Sequence, residues 1–195
     1  MLTHNIKRAK CIVLSIFTFL MAFFVSSCSS SSTMNITCCS SALDSEQMSD
    51  YLWTLTKQTD GLPSSEQSLS FSSIIMGSGN TQDAKLQDAI GQSQFAAMIA
   101  AREIDILLCT LDKDDILAKS DSFMPLEKIF STEELTELVD LLIAHETDAT
   151  PYGVILTDTE TLTPVFGDVP IGIFLADNCP NPSLAKEFMR NLVLP

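Results

Sequence analysis

A short apolar segment near the amino terminus limits which part of this chain can fold into a globular core. The basic stretch Lys7–Lys10 precedes an apolar run from Cys11 to Val25 that only Ser15 and Thr18 interrupt. A helix of about 15 residues rises about 22 Å, whereas a membrane span needs about 20 apolar residues. A basic stub followed by a short apolar core is typical of a secretory signal.

The residues that end this run resemble the lipobox of bacterial lipoproteins. Val25-Ser26-Ser27 stands directly before Cys28, and serines occupy positions 29–32. In that family the cysteine thiol is acylated and the cysteine becomes the new amino terminus. The resemblance therefore implies a signal peptide over 1–27, lipidation of Cys28 and a Ser-rich tether over 28–33. It also implies a lipid-anchored protein on the extracytoplasmic side of the cell membrane. An uncleaved membrane anchor and a buried core helix remain alternatives, although the run lacks the polar face of a globular helix.

The part of the chain after the signal is strongly acidic. Loss of three of the 11 bases with the signal would leave 8 bases against 25 acids, a net charge of −17. Nucleic acids and anionic lipid headgroups are bound through Lys and Arg, so we expect no nucleic-acid partner. The excess of acid otherwise favours solubility.

Four cysteines remain if Cys11 leaves with the signal and Cys28 is acylated; they are Cys38, Cys39, Cys109 and Cys179. An extracytoplasmic location permits a disulfide, but the pattern favours small buried thiols. The adjacent Cys38 and Cys39 would point to opposite faces of a strand, so at most one of them would face Cys109. The chain has no CxxC motif and one histidine after the signal, so we expect no metal site and no cofactor.

About 160 residues follow the tether, which is enough for one domain over 34–195. Short apolar runs alternate with helical periods, which favours an α/β fold with a parallel or mixed sheet and helices on both faces. Strands are predicted at 34–40, 69–76, 104–111, 152–156 and 171–175. Helices are predicted at 44–57, 92–102, 112–119, 131–145 and from 181 onward, with 81–90 uncertain because of Gly91.

The motifs that could carry chemistry have stronger structural explanations. Gly77-Ser78-Gly79 lies between a strand and a helix, but Gln82 stands where a dinucleotide loop requires its third glycine. The acidic run that begins at Asp112 lacks the glycine and the distal glutamate of a calcium loop. His145 ends a helical pattern, where a histidine interacts with the helix dipole. No serine or cysteine has a recognisable base beside it, and we expect no enzyme.

A second resemblance concerns the part of the chain from Phe95 onward. The run from Phe95 to Cys109 reads as a helix that ends shortly before a central strand. Its segment 102–106 is similar to the Gly-Glu-X-Asp-(Ile/Leu) junction of bacterial extracytoplasmic solute-binding proteins of the periplasmic-binding type II class, with Arg102 in place of the glycine. Segments 123–126, 152–154, 169–173 and 182–194 also resemble parts of that family.

In that family two lobes clamp a solute, which a transport ATPase complex then receives. This chain is too short for two complete lobes, so the resemblance implies one lobe of a periplasmic-binding type II fold with a reduced second lobe. It implies a lipoprotein that presents a small solute or peptide at the cell surface, with an envelope or transporter protein as partner. The alternative is a non-catalytic structural or interaction lipoprotein that has lost ligand binding and docks on an envelope protein.

Any ligand is expected at the carboxyl ends of the predicted strands, as in other open parallel sheets. Serine, threonine and asparagine there can both donate and accept hydrogen bonds, and glycine lets a ligand approach the backbone. The candidate ligand-binding residues are Ser40, Ser41, Gly77, Ser78, Asn80, Thr110 and Asp112. Ordinary roles in turns and caps are the alternative.

The third predicted strand contains one acidic residue among apolar neighbours. Ile104, Ile106 and Leu108 should share one face of this strand, with Asp105 and Leu107 on the other. We expect backbone amides to donate hydrogen bonds to Asp105, which would then have a structural role and no catalytic one.

Overall fold

The computed structural model describes residues 33–41, 50, 53, 69–77, 79–112, 120–144, 149–156, 166 and 168–194. The chain divides into a unit Met1–Ser31 and a unit Ser32–Pro195, and every described residue belongs to the second. The predicted signal, Cys28, Ser78, His145 and most of the helices predicted over 44–57 and 112–119 lie outside the described residues. Among the residues that are described, no helix is both long and apolar enough to cross a lipid bilayer.

The described residues form one open sheet of six strands. The strands are β1 (Met34–Ser40), β2 (Leu69–Ile75), β3 (Ile106–Thr110), β4 (Leu142–Ala144), β5 (Pro151–Ile155) and β6 (Ile171–Leu175), in the spatial order β2-β1-β3-β6-β5-β4. β1 pairs in parallel with β2 and β3, whereas β6 is antiparallel to β3 and β5, and β4 is antiparallel to β5. The predicted α/β class with a mixed sheet is confirmed.

The burial of each strand follows its place in the sheet. All residues of β3 and β6 are buried, while β2 at one side of the sheet has buried, half-buried and exposed positions. Continuous apolar sequence suits a strand that is covered on both faces. The third strand is shorter than predicted because Ile104 and Asp105 precede the ladder, although the Asp105 amide still donates to the Asn35 carbonyl at 3.0 Å.

Three α-helices are described: α1 (Gln82–Ala101), α2 (Thr132–Glu137) and α3 (Pro182–Val193). α1 includes the part that the sequence left uncertain, and the Thr81 hydroxyl caps it by accepting from the Ala84 amide at 3.1 Å. Gly91 is needed for packing: a Cβ there would lie 2.2 Å from Met76 Sδ and 3.1 Å from the Ile75 carbonyl. α1 therefore lies directly against β2.

The helix predicted over 131–145 is wrong beyond Glu137. The capping box that opens it is present, since the Ser131 hydroxyl and the Glu134 carboxylate each accept from the other residue's amide at 3.3 and 2.7 Å. After a 3-10 turn, however, the chain enters β4, where Leu142 pairs with Val154. A short apolar run is compatible with the period of a helix or of a strand, and the pairing of this segment with β5 stabilises the strand.

Aromatic rings fill one part of the core. The Phe123 ring lies 4.9 Å from the Phe174 ring and 6.2 Å from that of Phe95 on α1. Gly153 on the neighbouring strand β5 and Gly172, two residues before Phe174 on β6 itself, leave the room for this ring, because a Cβ at either position would lie within 2.6 Å of it. Helix, connector and sheet thus meet around Phe174.

Candidate functional site

The three parallel strands end at the same side of the sheet, which we call the carboxyl edge. It contains Ser40–Ser41 at the end of β1, Met76–Gly77 after β2 and Thr110–Asp112 at the end of β3. β2 lies on one side of β1 and β3 on the other, so the connections that leave β1 and β3 diverge. In open α/β sheets the crevice at such a point of divergence is the usual place for a ligand. The ends of β1 and β3 are therefore the candidate ligand-binding site in this fold.

Ser40 and Thr110 lie beside one another at this crevice. Cys38 pairs with Leu108 and Cys39 with Cys109, so one further residue along the register brings Ser40 next to Thr110. Each of the two is only 1 % exposed. The Thr110 hydroxyl oxygen is buried and has no hydrogen-bond partner.

An unpartnered buried hydroxyl is unusual and costly. Leaving such a group without a partner costs about 1–3 kcal/mol, and the large majority of buried polar side-chain atoms do have one. Thr37, the other fully buried threonine of these strands, follows the rule, since its hydroxyl lies 2.8 Å from the Ser72 hydroxyl. Of these two threonines, the one without a partner lies at the crevice. The other buried side-chain atom without a partner among the described residues is Asn178 Oδ1, which is not at the carboxyl edge.

The other predicted ligand-binding residues are more dispersed. Ser41 is half-buried, whereas Asn80 and Asp112 are exposed. Gly77 and Asn80 follow β2, which β1 separates from Thr110. A Cβ at Gly77 would lie 1.9 Å from the Ala84 carbonyl oxygen, so the close approach of this loop to α1 explains the glycine.

Two exposed acidic residues occur in the segments that meet at the Thr110 end of the carboxyl edge. The Leu111 amide donates to the Pro170 carbonyl at 2.9 Å, so the exposed Asp112 and Asp168 lie on either side of this contact between β3 and the start of β6. Sequence reasoning missed Asp168, because only the antiparallel pairing of β6 with β3 brings its amino end to this edge.

The basic side chains of the described residues are mostly engaged elsewhere. Lys128 forms an ion pair with Asp177 at 3.2 Å, and Lys186 donates to the Lys128 carbonyl at 2.8 Å. Arg190 pairs with Glu134. The remaining two are Lys85, in the first turn of α1 beyond β2, and Arg102, at the opposite end of that helix.

The buried Asp105 holds the other edge of the sheet together. Its two carboxyl oxygens accept from the Asn35 amide at 2.8 Å and the Asn181 amide at 2.9 Å. Asn181 occupies the N-cap position of α3, but its side chain donates to the Thr33 carbonyl at 2.9 Å and makes no capping hydrogen bond to the helix. The expectation that backbone amides bind Asp105 is confirmed, and the aspartate joins the start of β1 to the start of α3.

The buried cysteines are poor candidates for chemistry. Cys39 is the member of the vicinal pair that lies opposite Cys109, and the four cysteines of the described region are all free thiols. Burial, with a smaller effect of Cys39, raises the pKa of the Cys38 thiol far above its usual range. Burial, and then the charge of Asp105, raises the pKa of Cys179 to about 11. Protonated thiols are weak nucleophiles, so neither is a reactive centre at neutral pH.

A polar contact ties α2 to α3. The Arg190 guanidinium forms a two-pronged ion pair with the Glu134 carboxylate, donates to the Ile129 carbonyl at 3.1 Å and lies 5.8 Å from the centre of the Phe130 ring. The hydrogen bond from Arg190, followed by that from the Ser131 amide, lowers the pKa of Glu134. The carboxylate therefore serves both as a helix cap and as an anchor for α3.

Among the described residues, no three or more His, Cys, Asp or Glu side chains are arranged to hold a metal ion. The carboxyl edge offers instead two buried hydroxyl side chains with acids nearby, which suits binding of a polar solute. Comparison of the chain with protein-family models, with curated proteins and with solved structures finds no match in any of the three.

Proposed function

We propose that this protein is a membrane-anchored extracytoplasmic lipoprotein whose domain binds a small polar solute in the crevice between β1 and β3. The unpartnered Thr110 hydroxyl carries the proposal. A ligand group that hydrogen-bonds to it would remove the cost of its burial, and the site lies where an open α/β sheet receives ligands. Ser40, equally buried beside it, provides a second hydroxyl at the same place.

The anchor in this proposal is a lipid chain on Cys28, after removal of the signal over 1–27. Its support is the sequence pattern, a short apolar run that ends in small residues before a cysteine. Stable anchoring needs more than one acyl chain, which the diacylglyceryl group of bacterial lipoproteins provides. The serines that follow would form a flexible tether.

The proposed fold is one lobe of the periplasmic-binding type II class with a reduced second lobe. The segments that resemble that family coincide with regular elements of the structure: 95–109 spans the end of α1 and β3, 152–154 lies in β5, 169–173 leads into β6, and 182–194 contains α3. A transporter or another envelope protein would then receive the solute.

A thermal-shift screen of the full chain in detergent tests solute binding. Amino acids, sugars, short peptides and amines would each be added to the wild type and to Thr110→Val, which keeps the shape of the side chain and removes the hydroxyl. A solute that stabilises the wild type but not Thr110→Val supports the proposal. Thr37→Val is the matched control and should keep the ligand-dependent shift. A ligand that stabilises Thr110→Val equally well would place binding elsewhere, and no shift with any solute would favour the interaction lipoprotein.

The lipid anchor is tested separately with Cys28→Ala. This variant should remain an unprocessed precursor and lose metabolic labelling by a fatty-acid analogue. Cys38→Ala, in the mature domain, is the control and should be labelled like the wild type. Undiminished labelling of Cys28→Ala would refute the assignment of the anchor.

A further inference from the structure

We infer that the outward side of α1 binds a second copy of this chain, in an antiparallel pair of helices related by a two-fold axis. This inference is independent of the proposed solute and of its crevice. It is drawn from the residues that α1 presents on the side turned away from the sheet and from their order along the helix.

The buried residues of α1 define its two sides. Ala84, Gly91 and Phe95 are buried, and Gly91 packs against Ile74 and Met76. At 3.6 residues per turn, the residues half a turn away lie on the opposite side, which we call the outer face. The outer face consists of Gln82, Leu86, Ala89, Ile90, Ser93, Ala96, Ala97 and Ala100, all of which are exposed.

The outer face carries no charged side chain over the whole length of α1. Six of its eight residues are apolar, and Leu86 and Ile90 are 61 % and 51 % exposed. A helix at the surface of a domain normally presents charged and polar residues to solvent, and this chain contains 25 acids and 11 bases. The outer face therefore has the composition of an interaction surface.

Trp53, which belongs to the connection between β1 and β2, lies on the other side of the sheet. It packs edge-on against Phe71 at 5.3 Å. Side chains alternate across a strand, so Phe71 points away from the face on which Ile74 packs against α1. The outer face is thus turned away both from the sheet and from Trp53.

The order of large and small residues favours an antiparallel partner. Leu86 and Ile90 lie in the first half of α1, whereas the outer face of the second half has only alanine. A two-fold axis at Ser93 places Leu86 of one copy level with Ala100 of the other, and Ile90 level with Ala96. Large side chains then meet small ones, as in well-packed helix pairs. A parallel pair would place Leu86 beside Leu86 and leave the alanines facing one another across a gap.

The charges at the two ends of α1 fit the same arrangement. Asp83 and Lys85 are exposed at its start, and Arg102 and Glu103 are exposed directly after its last residue. In the antiparallel pair the start of one helix lies beside the end of the other. Lys85 can then approach Glu103 of the other copy, and opposite ends of the two helix dipoles are neighbours. A parallel pair would place each of these charges beside its own copy.

The size of the outer face sets the strength of the expected dimer. The 20 residues of α1 make a helix about 30 Å long and about 10 Å wide. This gives about 300 Å² for each copy, whereas a standard stable interface buries about 800 Å² for each partner. We therefore expect a weak, reversible dimer.

Sedimentation of the full chain in a neutral detergent tests the association. The wild type should form a dimer as its concentration is raised through the micromolar range. Ser93→Glu places two carboxylates together at the two-fold axis and should weaken the dimer at least about tenfold. Ser183→Glu makes the same change at an exposed position in the first turn of α3 and should leave the affinity within about twofold. Equal weakening by both variants would overturn the inference.

Cross-linking determines the orientation of the pair. With Cys11→Ser and Cys28→Ser, the cysteines that remain are the four buried ones. A short bismaleimide should join Ser93→Cys to itself, and should join Leu86→Cys to Ala100→Cys when these two variants are mixed. Leu86→Cys alone should not be joined, because its two copies would lie about 21 Å apart along the pair. Efficient cross-linking of Leu86→Cys to itself would indicate a parallel pair and overturn the inference.

A wild type that stays monomeric throughout also overturns the inference, and the reactivity of Ser93→Cys with a maleimide then gives the reason. Slow reaction would mean that another segment of the chain covers the outer face, and fast reaction that the face is in solvent. Ser93→Glu should keep the circular dichroism of the wild type, because the position is exposed and glutamate favours helices. Loss of the dimer without loss of helix assigns the effect to the interface.

Discussion

Two buried threonines in neighbouring strands provide a direct test of the unpartnered hydroxyl. Thr37 and Thr110 are 0 % and 1 % exposed, and both lie in the parallel part of the sheet. The Thr37 hydroxyl has a partner in Ser72 at 2.8 Å, whereas that of Thr110 has none. Valine has the same shape as threonine and the same preference for strands, so replacing each by valine isolates the hydroxyl.

The two substitutions should change stability in opposite directions. Thr37→Val loses a hydrogen bond with a net value of about 0.5–1.5 kcal/mol. It also leaves the half-buried Ser72 without that partner, so a loss of about 1–2 kcal/mol is expected. Thr110→Val removes a buried group whose desolvation costs about 1–3 kcal/mol and adds a buried methyl group. We therefore expect the ligand-free Thr110→Val protein to be more stable than the wild type by about 1–2 kcal/mol.

Urea unfolding measures both changes. Trp53 is the only tryptophan of the chain, and it packs edge-on against Phe71 of β2 at 5.3 Å, so its fluorescence should report loss of the sheet. The m-value should stay constant, because neither change alters the surface exposed on unfolding. In thermal unfolding each kcal/mol should move Tm by about 2–4 °C for a domain of this size. A loss above about 1 kcal/mol in Thr110→Val would refute the reasoning, because it would mean that the hydroxyl has a partner in the free protein.

Four further substitutions test other parts of the structure. Asp105→Asn should lower the free energy of unfolding by about 2–4 kcal/mol, because an NH2 group replaces one of the two carboxyl oxygens that accept from partly buried backbone N–H groups. A loss of less than about 1 kcal/mol in denaturant unfolding would contradict this. Arg102 closes α1 in a left-handed conformation with φ 58° and ψ 42°, so Arg102→Gly should raise stability by about 1 kcal/mol, whereas Arg102→Ala should not. Folding lowers the pKa of Glu134. Its contribution to stability is therefore present above the pKa of the unfolded chain and is lost as pH falls through the pKa of the folded protein. The difference in stability between neutral and acid pH, measured by unfolding curves, should be smaller in Glu134→Gln than in the wild type. Replacing Ile106, which is fully buried in β3, by alanine should lower the free energy of unfolding by about 2–5 kcal/mol. A loss below about 1 kcal/mol would contradict its place in the core.

The sequence alone determined the features that depend on local chemistry or on continuous patterns. The bounds of β1 and β6 were predicted correctly. β6 is an uninterrupted apolar run, which suits a strand covered on both faces, whereas β1 also contains the polar residues Asn35, Thr37 and Ser40. The capping box at Ser131 and Glu134 was also predicted, since both partners lie within one turn. The need of Asp105 for backbone donors followed from placing a charged residue between apolar neighbours.

Tertiary structure decided the features that depend on residues far apart in the chain. The sequence around Leu142 and Ile143 is compatible with a helix or a strand, and their pairing with the neighbouring strand β5 determines that they form β4. Arg102 ends α1 in a left-handed conformation, and Asn178 donates to the Ile99 carbonyl at 2.8 Å from a distant part of the chain. The same limit applies to the crevice. The segment that contains Asp168 comes to the end of β3 only because β6 runs antiparallel beside that strand. Local sequence sets what each segment can form, whereas burial and strand pairing, which sum contacts over distant segments, decide which of these forms is stable and which groups meet.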